Sequence, residues 1–483
     1  MAKYCKYYQA EKMVTYNGGL TWHSLEPPEY GTGSLIERNS PDCGYVDMST
    51  QYLTIEITQG SGTLEFSGTS STTVDNSYIQ YSKNNSSTWY TLSRGNTLSV
   101  ETGDIIMWKA TNLVPYYNSE NEHFGNCGVG TFKNSWLTGF KYKVYGNIMS
   151  LLYGDNFRNQ KSLQGYVGMF GNLFAFSHVE DAKDLILPAE ILTKACYSGM
   201  FQNCHYLEVA PTLSSTTMAE RCYSGMFFAC TRLTDIQPVL PATVLKENCY
   251  EFMYGSCYAL TTTPKLYART VDAWSCYAMF ESCSGLTTIH EDMLPATDLT
   301  TTVAGHGQCY GSMFQACTSL VSVPKKLLPA TKLSYSCYES MFRDCSNLKY
   351  LPDLPATSLS GGGECYSRMF QGCTSLSSVP SNYLPATTLT GSCYAHMFTS
   401  CTSLTTAPDL LASSLVGYDY SYMFQGCSRL SYIKCTASSV SAYNCIQDWV
   451  DGVASSGTFV KKSTTTWPSG SSGIPNNWTI RNV

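Results

Sequence analysis

The chain has 483 residues, of which 43% are hydrophobic and 14% charged, and it carries a net charge of -6. A normal apolar share with a depleted charged share excludes a disordered chain and gives length for several domains. The acidic balance argues against nucleic acid or an anionic membrane as partner, because either would need a basic patch. No apolar run reaches the roughly 18 residues of a membrane-spanning helix. Ser, Thr, Gly, Asn and 36 Tyr stand where charge is missing. Such a neutral, hydrogen-bonding surface resembles an antibody paratope and suits glycans or protein surfaces.

Met1-Ala2-Lys3-Tyr4-Cys5 opens the chain without the apolar stretch of a secretory leader. The expectation is a protein that leaves its cell by a route other than ordinary export, or stays inside. Residues 1–45 read as a small docking or capping module. Within it Asn17-Gly18 lies between apolar runs at 14–16 and 20–22, which predicts a hairpin. Residues 46–145 read as an antiparallel β-sandwich-like domain. Residues 52–57 alternate with period two, and 78–82, 88–92, 97–100 and 104–109 are further strand-like runs split by Gly, Asn and Ser.

Residues 146–435 form a repeat array, with 146–153 and a weak unit at 165–170 as its N-terminal cap. The unit is C-Y-x-x-M-F-x-x-C-x-x-L, a short strand-like stretch, then L-P-A-T-x-L. It opens at Cys196, Cys222, Cys249, Cys276, Cys309, Cys337, Cys365 and Cys393, with Asp419 in the same place of a ninth unit. The unit at Cys276 reads as one residue short between its cysteines, and residues 300–308 read as an insert. Large apolar residues at offsets 0, 1, 4, 5 and 8 fall on one broad helical face. Each unit therefore reads as a short helix, a short strand and two corners, too small to bury its own apolar face without stacked neighbours. The predicted fold is an α/β solenoid of about nine to ten repeats. Strands about 4.8 Å apart against helices 8–10 Å apart would make it curve. The repeat cysteines read as small buried hydrophobes, with disulfides between units as the alternative. Residues 436–483 follow as a C-terminal cap.

The spacing of aromatic, Cys and Leu at three-residue steps resembles the Treponema-type, BspA-like leucine-rich repeat. It recurs as Phe201/Cys204/Leu207, Phe227/Cys230/Leu233, Phe280/Cys283/Leu286, Phe314/Cys317/Leu320, Phe342/Cys345/Leu348, Phe370/Cys373/Leu376, Phe398/Cys401/Leu404 and Phe424/Cys427/Leu430; the Cys249 unit departs with Tyr254. The resemblance covers somewhat over half the chain. It implies a leucine-rich-repeat solenoid. The modular order of β domain, repeats and cap resembles surface and phage-tail proteins of gut Bacteroidales.

No catalytic signature stands out. The seven His do not form H-E-x-x-H or H-x-H, and no G-x-S-x-G, P-loop or G-x-G-x-x-G is present. His290-Glu291-Asp292 reads as a solvated corner rather than a metal or acid/base site. No enzyme activity, cofactor or metal is expected. The Tyr after each opening cysteine reads as packing at the edge of the helical face with its hydroxyl in water, in preference to a sugar-stacking platform. Specificity is expected where the repeat varies, at Tyr267, Trp274, His306, Lys349, Tyr350 and Tyr383. The predicted function is structural and adhesive: a phage virion tail or fibre component that binds a bacterial surface protein or glycan beside other virion proteins, with homo-oligomers allowed. A cell-surface adhesin and an intracellular protein-binding scaffold are the alternatives.

Overall fold

A computed structural model describes residues 6–8, 13–16, 21–24, 47–67, 79–92, 96–111, 129–134, 139–300 and 307–483. These form two compact units, Met1–Gln51 and Tyr52–Val483. In the first, β1 (Lys6–Tyr8), β2 (Met13–Tyr16) and β3 (Thr21–Ser24) make an antiparallel sheet in chain order. Tyr16 lies opposite Thr21, the pairing expected of strands flanking Asn-Gly.

The second unit begins with β4 (Leu53–Gln59), β5 (Ser61–Ser67), β6 (Ile79–Lys83), β7 (Tyr90–Thr91), β8 (Thr97–Glu101), β9 (Ile105–Ala110), β10 (Thr131–Asn134) and β11 (Lys141–Asn147). One sheet runs β10-β5-β8; the other contains β11-β4-β9-β6-β7. They face each other across Phe66, Trp108 and Phe132, whose rings are 4.8–6.3 Å apart and fully buried. Strand β11 is followed by α1 (Ser150–Tyr153), β12 (Val179–Asp181) and β13 (Leu185–Ile186), and it pairs in parallel with both of these strands. The Phe132 N–H donates to Leu173 O at 2.7 Å, and its ring stacks on Phe174 at 5.4 Å. The repeats thus grow directly from the edge of the antiparallel region.

The expected α/β solenoid of leucine-rich-repeat type is overturned. The described residues hold one α-helix, α1, of four residues and outside the repeats. The remaining strands, β14 (Val239–Leu240), β15 (Lys265–Leu266), β16 (Tyr432–Cys435), β17 (Thr458–Lys461) and β18 (Thr479–Asn482), belong to separate small sheets, none of which forms a solenoid. The fold is β-rich.

The physical reason lies in the backbone of the Cys-Tyr-x-x-Met-Phe segment. Every fourth residue is left-handed: Ser336, Ser340 and Asp344 have φ of 50°, 56° and 60°. The same three places recur as Ala195, Gly199 and Asn203, or Ser392, His396 and Ser400. A right-handed helix is impossible through such residues. Donors alternate instead. The N–H groups of Glu339, Met341, Arg343 and Cys345 close turns onto carbonyls three residues back, at 3.0–3.2 Å. Those of Ser336, Tyr338, Ser340, Phe342 and Asp344 donate to Gly363, Cys365, Ser367, Met369 and Gln371 of the next unit, at 2.7–3.1 Å. In alternate turns the left-handed residue is third, as Ser340 is in the turn closed by Met341 and Asp344 in the turn closed by Cys345, the place a type II turn requires; the turns closed by Glu339 and Arg343 begin on a left-handed residue.

Stacked in this way, equivalent side chains form columns. Rings of the Phe column, from Phe174 to Phe424, are 5.3–5.8 Å apart and within 16° of parallel. That spacing is close to the distance between strands and well short of packed helices, so the predicted cause of curvature is absent. The Tyr column is not at an edge with its hydroxyls in water. Tyr197, Tyr223, Tyr250, Tyr310, Tyr338, Tyr366, Tyr394 and Tyr420 are at most 2% exposed.

The columns also correct the repeat register. Tyr250 N–H donates to Ser275 O where Tyr223 N–H donates to Cys249 O. Ser275 therefore takes the opening place and Cys276 the Tyr place, so this unit has no residue missing. At the start, Phe170 stacks on Tyr197 and Phe174 on Phe201. The first unit thus lies one four-residue turn later than Gly165-Tyr166 suggests. A period of four makes the two registers look alike in sequence.

All described cysteines are free thiols. The second cysteine of a unit donates through Sγ to the carbonyl of the column Phe or Tyr one unit back: Cys345 to Phe314 O at 3.1 Å, Cys373 to Phe342 O at 3.2 Å, Cys401 to Phe370 O at 3.1 Å. That carbonyl already accepts from its own turn, and the thiol fills its second lone pair. Burial pushes the Cys283, Cys345 and Cys427 thiols up to about 12. They remain protonated donors, unsuited to nucleophilic chemistry.

Candidate functional site

With the opening residue as position 0, positions 0, 1, 4, 5 and 8 point into the columns. Positions 3 and 6 stand at the turn surface, bound to each other: Arg343 N–H donates to Ser340 O, Gln371 to Arg368 O, Thr399 to His396 O and Gln425 to Tyr422 O, all at 3.1 Å. Here the repeat varies. Successive units from Cys222 carry Gly225/Phe228, Phe252/Gly255, Ala278/Glu281, Ser312/Gln315, Ser340/Arg343, Arg368/Gln371, His396/Thr399 and Tyr422/Gln425. The large side chains among them are partly exposed.

One end of this row is aromatic. Phe228, Phe252 and Tyr277 meet edge to face at 6.1 and 5.6 Å. Glycines make room for them: a Cβ on Gly255 would come within 3.0 Å of the Phe228 ring, and one on Gly311 within 3.2 Å of Tyr277. Tyr277 is out of the Tyr column because Cys276 occupies it.

The other end is polar and laterally bonded. Trp274 Nε1 donates to Gln308 Oε1 at 2.5 Å, and Gln308 Nε2 donates to Glu339 Oε2 at 2.9 Å. Arg368 Nη1 donates to the other oxygen of Glu339 at 3.2 Å. Each link joins neighbouring units, so the chain of bonds runs along the stack. Beyond it His396 lies flat on Tyr422, with ring centroids 4.6 Å apart and planes within 10°. Burial, then the Arg368 and Arg343 guanidinium groups, hold the imidazole down to about 4. His396 is neutral at pH 7 and stacks as an uncharged ring.

Of the residues expected at the site, Trp274 joins this row. Tyr267 is half-buried with Lys265 Nζ 5.5 Å from its ring centre. Lys349 and Tyr350 are exposed on a different line of contacts, where both N–H groups donate to Val321 O. Tyr383 is a core residue: it is buried, and its ring is 6.2 Å from Phe370. His306 lies outside the described residues. Sequence reasoning missed Phe228, Phe252, Arg343, Arg368, His396 and Tyr422, although they occupy the variable x positions of the motif. On the helix expected from the apolar offsets, those positions fall on the side away from the apolar face.

Comparison with protein-family models, with curated proteins and with solved structures finds no match.

Proposed function

We propose that the chain is a non-enzymatic binding protein, a virion tail or fibre component whose turn row contacts a bacterial surface protein or glycan. One observation carries this reading. The stacked turn segments hold their inward residues nearly constant and vary at the outward positions 2, 3, 6 and 7, and aromatic and guanidinium side chains emerge at positions 2, 3 and 6. Constant columns are what stacking needs; irregular aromatic and Arg side chains in one row are what recognition needs. The buried, protonated thiols fit assembly in a reducing compartment, as a virion protein built inside a cell would have.

The test is adherence of the labelled full chain to bacterial cells, compared with a triple variant Phe252→Ser, Arg368→Ser, Tyr422→Ser of unchanged thermal midpoint. The reading expects adherence by the parent and its loss in the variant. Equal adherence of both moves the binding surface elsewhere, and turnover of surface glycan by the parent makes the protein an enzyme.

A further inference from the structure

The residues two places before the opening position form a further column. The N–H groups of Gln308, Ser336, Glu364, Ser392 and Tyr418 donate to the carbonyls of Tyr335, Gly363, Gly391, Gly417 and Tyr443 in the next unit, at 2.9–3.2 Å. The column thus runs Tyr, three glycines, Tyr. Folding does not ask for these glycines. None of the three has a left-handed φ, and a Cβ on Gly391 or Gly417 would meet nothing nearer than 3.4 Å. Earlier units carry Lys194, Glu220 and Glu247 at the same place. What the glycines do is leave a shallow trough between two aromatic ends. Tyr335 is 40% exposed, with Cε2 of its ring 3.7 Å from where a Cβ on Gly363 would stand. Tyr443 is 72% exposed and meets Tyr418 edge to face at 5.4 Å. Tyr418 itself is left-handed, with φ of 63°, a conformation that suits a bulky residue poorly.

Polar groups along this column lack partners. The N–H groups of Gly363, Gly391 and Gly417 donate to no described residue. The Glu364 carboxylate accepts only from Ser336 Oγ, at 3.4 Å, while the guanidinium groups of Arg343 and Arg368 are engaged by Asp344 and Glu339. At the Tyr335 end the Ser334 hydroxyl is buried without a partner. It lies 3.2 Å from where a Cβ would stand on Gly307, the residue that precedes Tyr335 in the column. Such an orphan is costly and calls for an explanation. We infer that the trough from Tyr335 to Tyr443 binds a neutral glycan running along the stack, with its end sugars against the two Tyr rings. Sugar hydroxyls both accept from the glycine N–H groups and donate to Glu364 and Ser334. A lone carboxylate repels an acidic sugar and takes a strong hydrogen bond from a neutral one. Tyr rings give contact area at low entropic cost. The units advance in steps of 5.8 Å from Phe342 to Phe424, a step comparable with one sugar residue of an extended chain. A peptide strand laid the same way repeats its same-side groups every two residues, about 6.8 Å, and drifts out of register.

This rests on the adhesion reading, and the experiment separates the two. Titration calorimetry of the full chain uses cellohexaose, chitohexaose and mannohexaose, with an oligogalacturonate and hexa-lysine beside them. At least one neutral hexasaccharide is expected to bind, more tightly than the oligogalacturonate and without dependence on salt. Gly391→Gln, a neutral copy of what Glu220 and Glu247 place in this column, should fill the trough and lose at least about tenfold. Its thermal midpoint should equal or exceed the parent's, because the unfolded chain loses freedom. Tyr443→Ala should lose about tenfold and Tyr443→Phe little. Tyr350→Ala, on another line of the stack, should bind as the parent does. If none of the neutral sugars binds, or if Gly391→Gln binds as the parent does, the inference fails. Hexa-lysine binding more tightly than the sugars, and weakened by salt, makes the partner cationic and overturns it too. Bacterial adherence tests the broader reading separately: adherence lost in the triple variant but kept in Gly391→Gln leaves adhesion standing without the trough.

Discussion

Two fully buried tryptophans mark the contrast between the antiparallel region and the repeat stack. Trp108 sits between two facing sheets against Phe66, Tyr81 and Phe132, and its Nε1 has no hydrogen-bond partner. Trp449 sits at the far end of the columns. It stacks on Tyr420 at 6.4 Å, meets Phe424 at 6.2 Å and stacks on Trp467 at 5.5 Å, while its Nε1 donates to Gly473 O at 2.8 Å. The indole covers the Tyr and Phe columns together, which no single smaller ring does. In the antiparallel region every contact is unique and packing is a local puzzle. In the stack one contact is repeated many times, and special residues are needed where the repetition stops.

The largest expected effect tests that ending. Trp449→Ala should cost about 3–5 kcal/mol, the range for a buried aromatic truncated to Ala, read from the urea midpoint. The sharper comparison is with Phe. Trp108→Phe loses volume but removes an orphaned donor, whereas Trp449→Phe also strands Gly473 O and uncovers part of a column. A larger loss at Trp449 is expected; equal losses would erase the distinction between the regions.

Next is the one unit opened by an acid. Asp419 is fully buried where most other units have Cys. Its Oδ2 accepts from Val416 N–H at 2.7 Å, and its Oδ1 has no partner. Cys393, Tyr394, Tyr420 and Cys445 surround it. Burial, against the opposing Val416 N–H, pushes the carboxyl up to about 7. The folded form thus prefers the proton. Below pH about 4 the carboxyl is neutral in both states. As pH rises from there to about 7 the unfolded chain ionises first, so stability falls by about 2–4 kcal/mol and then levels off. Asp419→Asn should flatten this dependence and exceed the parent in stability at pH 8, measured by denaturation across pH. A parent with no extra loss over that window would show the carboxyl to be hydrated.

A smaller effect is expected in the thiol row. Cys345→Ala removes the donor to Phe314 O and should cost about 1–2 kcal/mol from the lost bond and lost sulfur contacts. A neutral result would reduce the cysteine to a space-filler.

The sequence shows the columns plainly, because Cys, Tyr, Met and Phe at offsets 0, 1, 4, 5 and 8 recur in unit after unit. It misleads on the backbone that carries them. Over nine residues a period of four and a helical period of 3.6 place the same residues inward. The distinguishing signal is negative: no Val, Ile or Thr is left-handed at any described position, although all three are common in the chain. β-branched residues fit that region worst. Cys276-Tyr277 likewise imitates the opening Cys-Tyr pair and hides Ser275. The candidate site was legible only as variability. That Gln308 reaches Glu339, and Glu339 reaches Arg368, depends on which residues of neighbouring units fall side by side, and single-unit reading does not supply that.

The central claim is that the repeats stack through left-handed turns rather than helices, and Ser400 tests it most directly. It is exposed, with φ of 60° and its N–H donated to Gln425 O at 2.7 Å. In a helix Ser400→Gly should destabilise by about 0.5 kcal/mol and Ser400→Val should be nearly neutral. In a left-handed turn Gly should be neutral or stabilise by a few tenths, and Val should cost about 1–2 kcal/mol. The account predicts Gly above Ser above Val in urea midpoint; Val above Gly would contradict it.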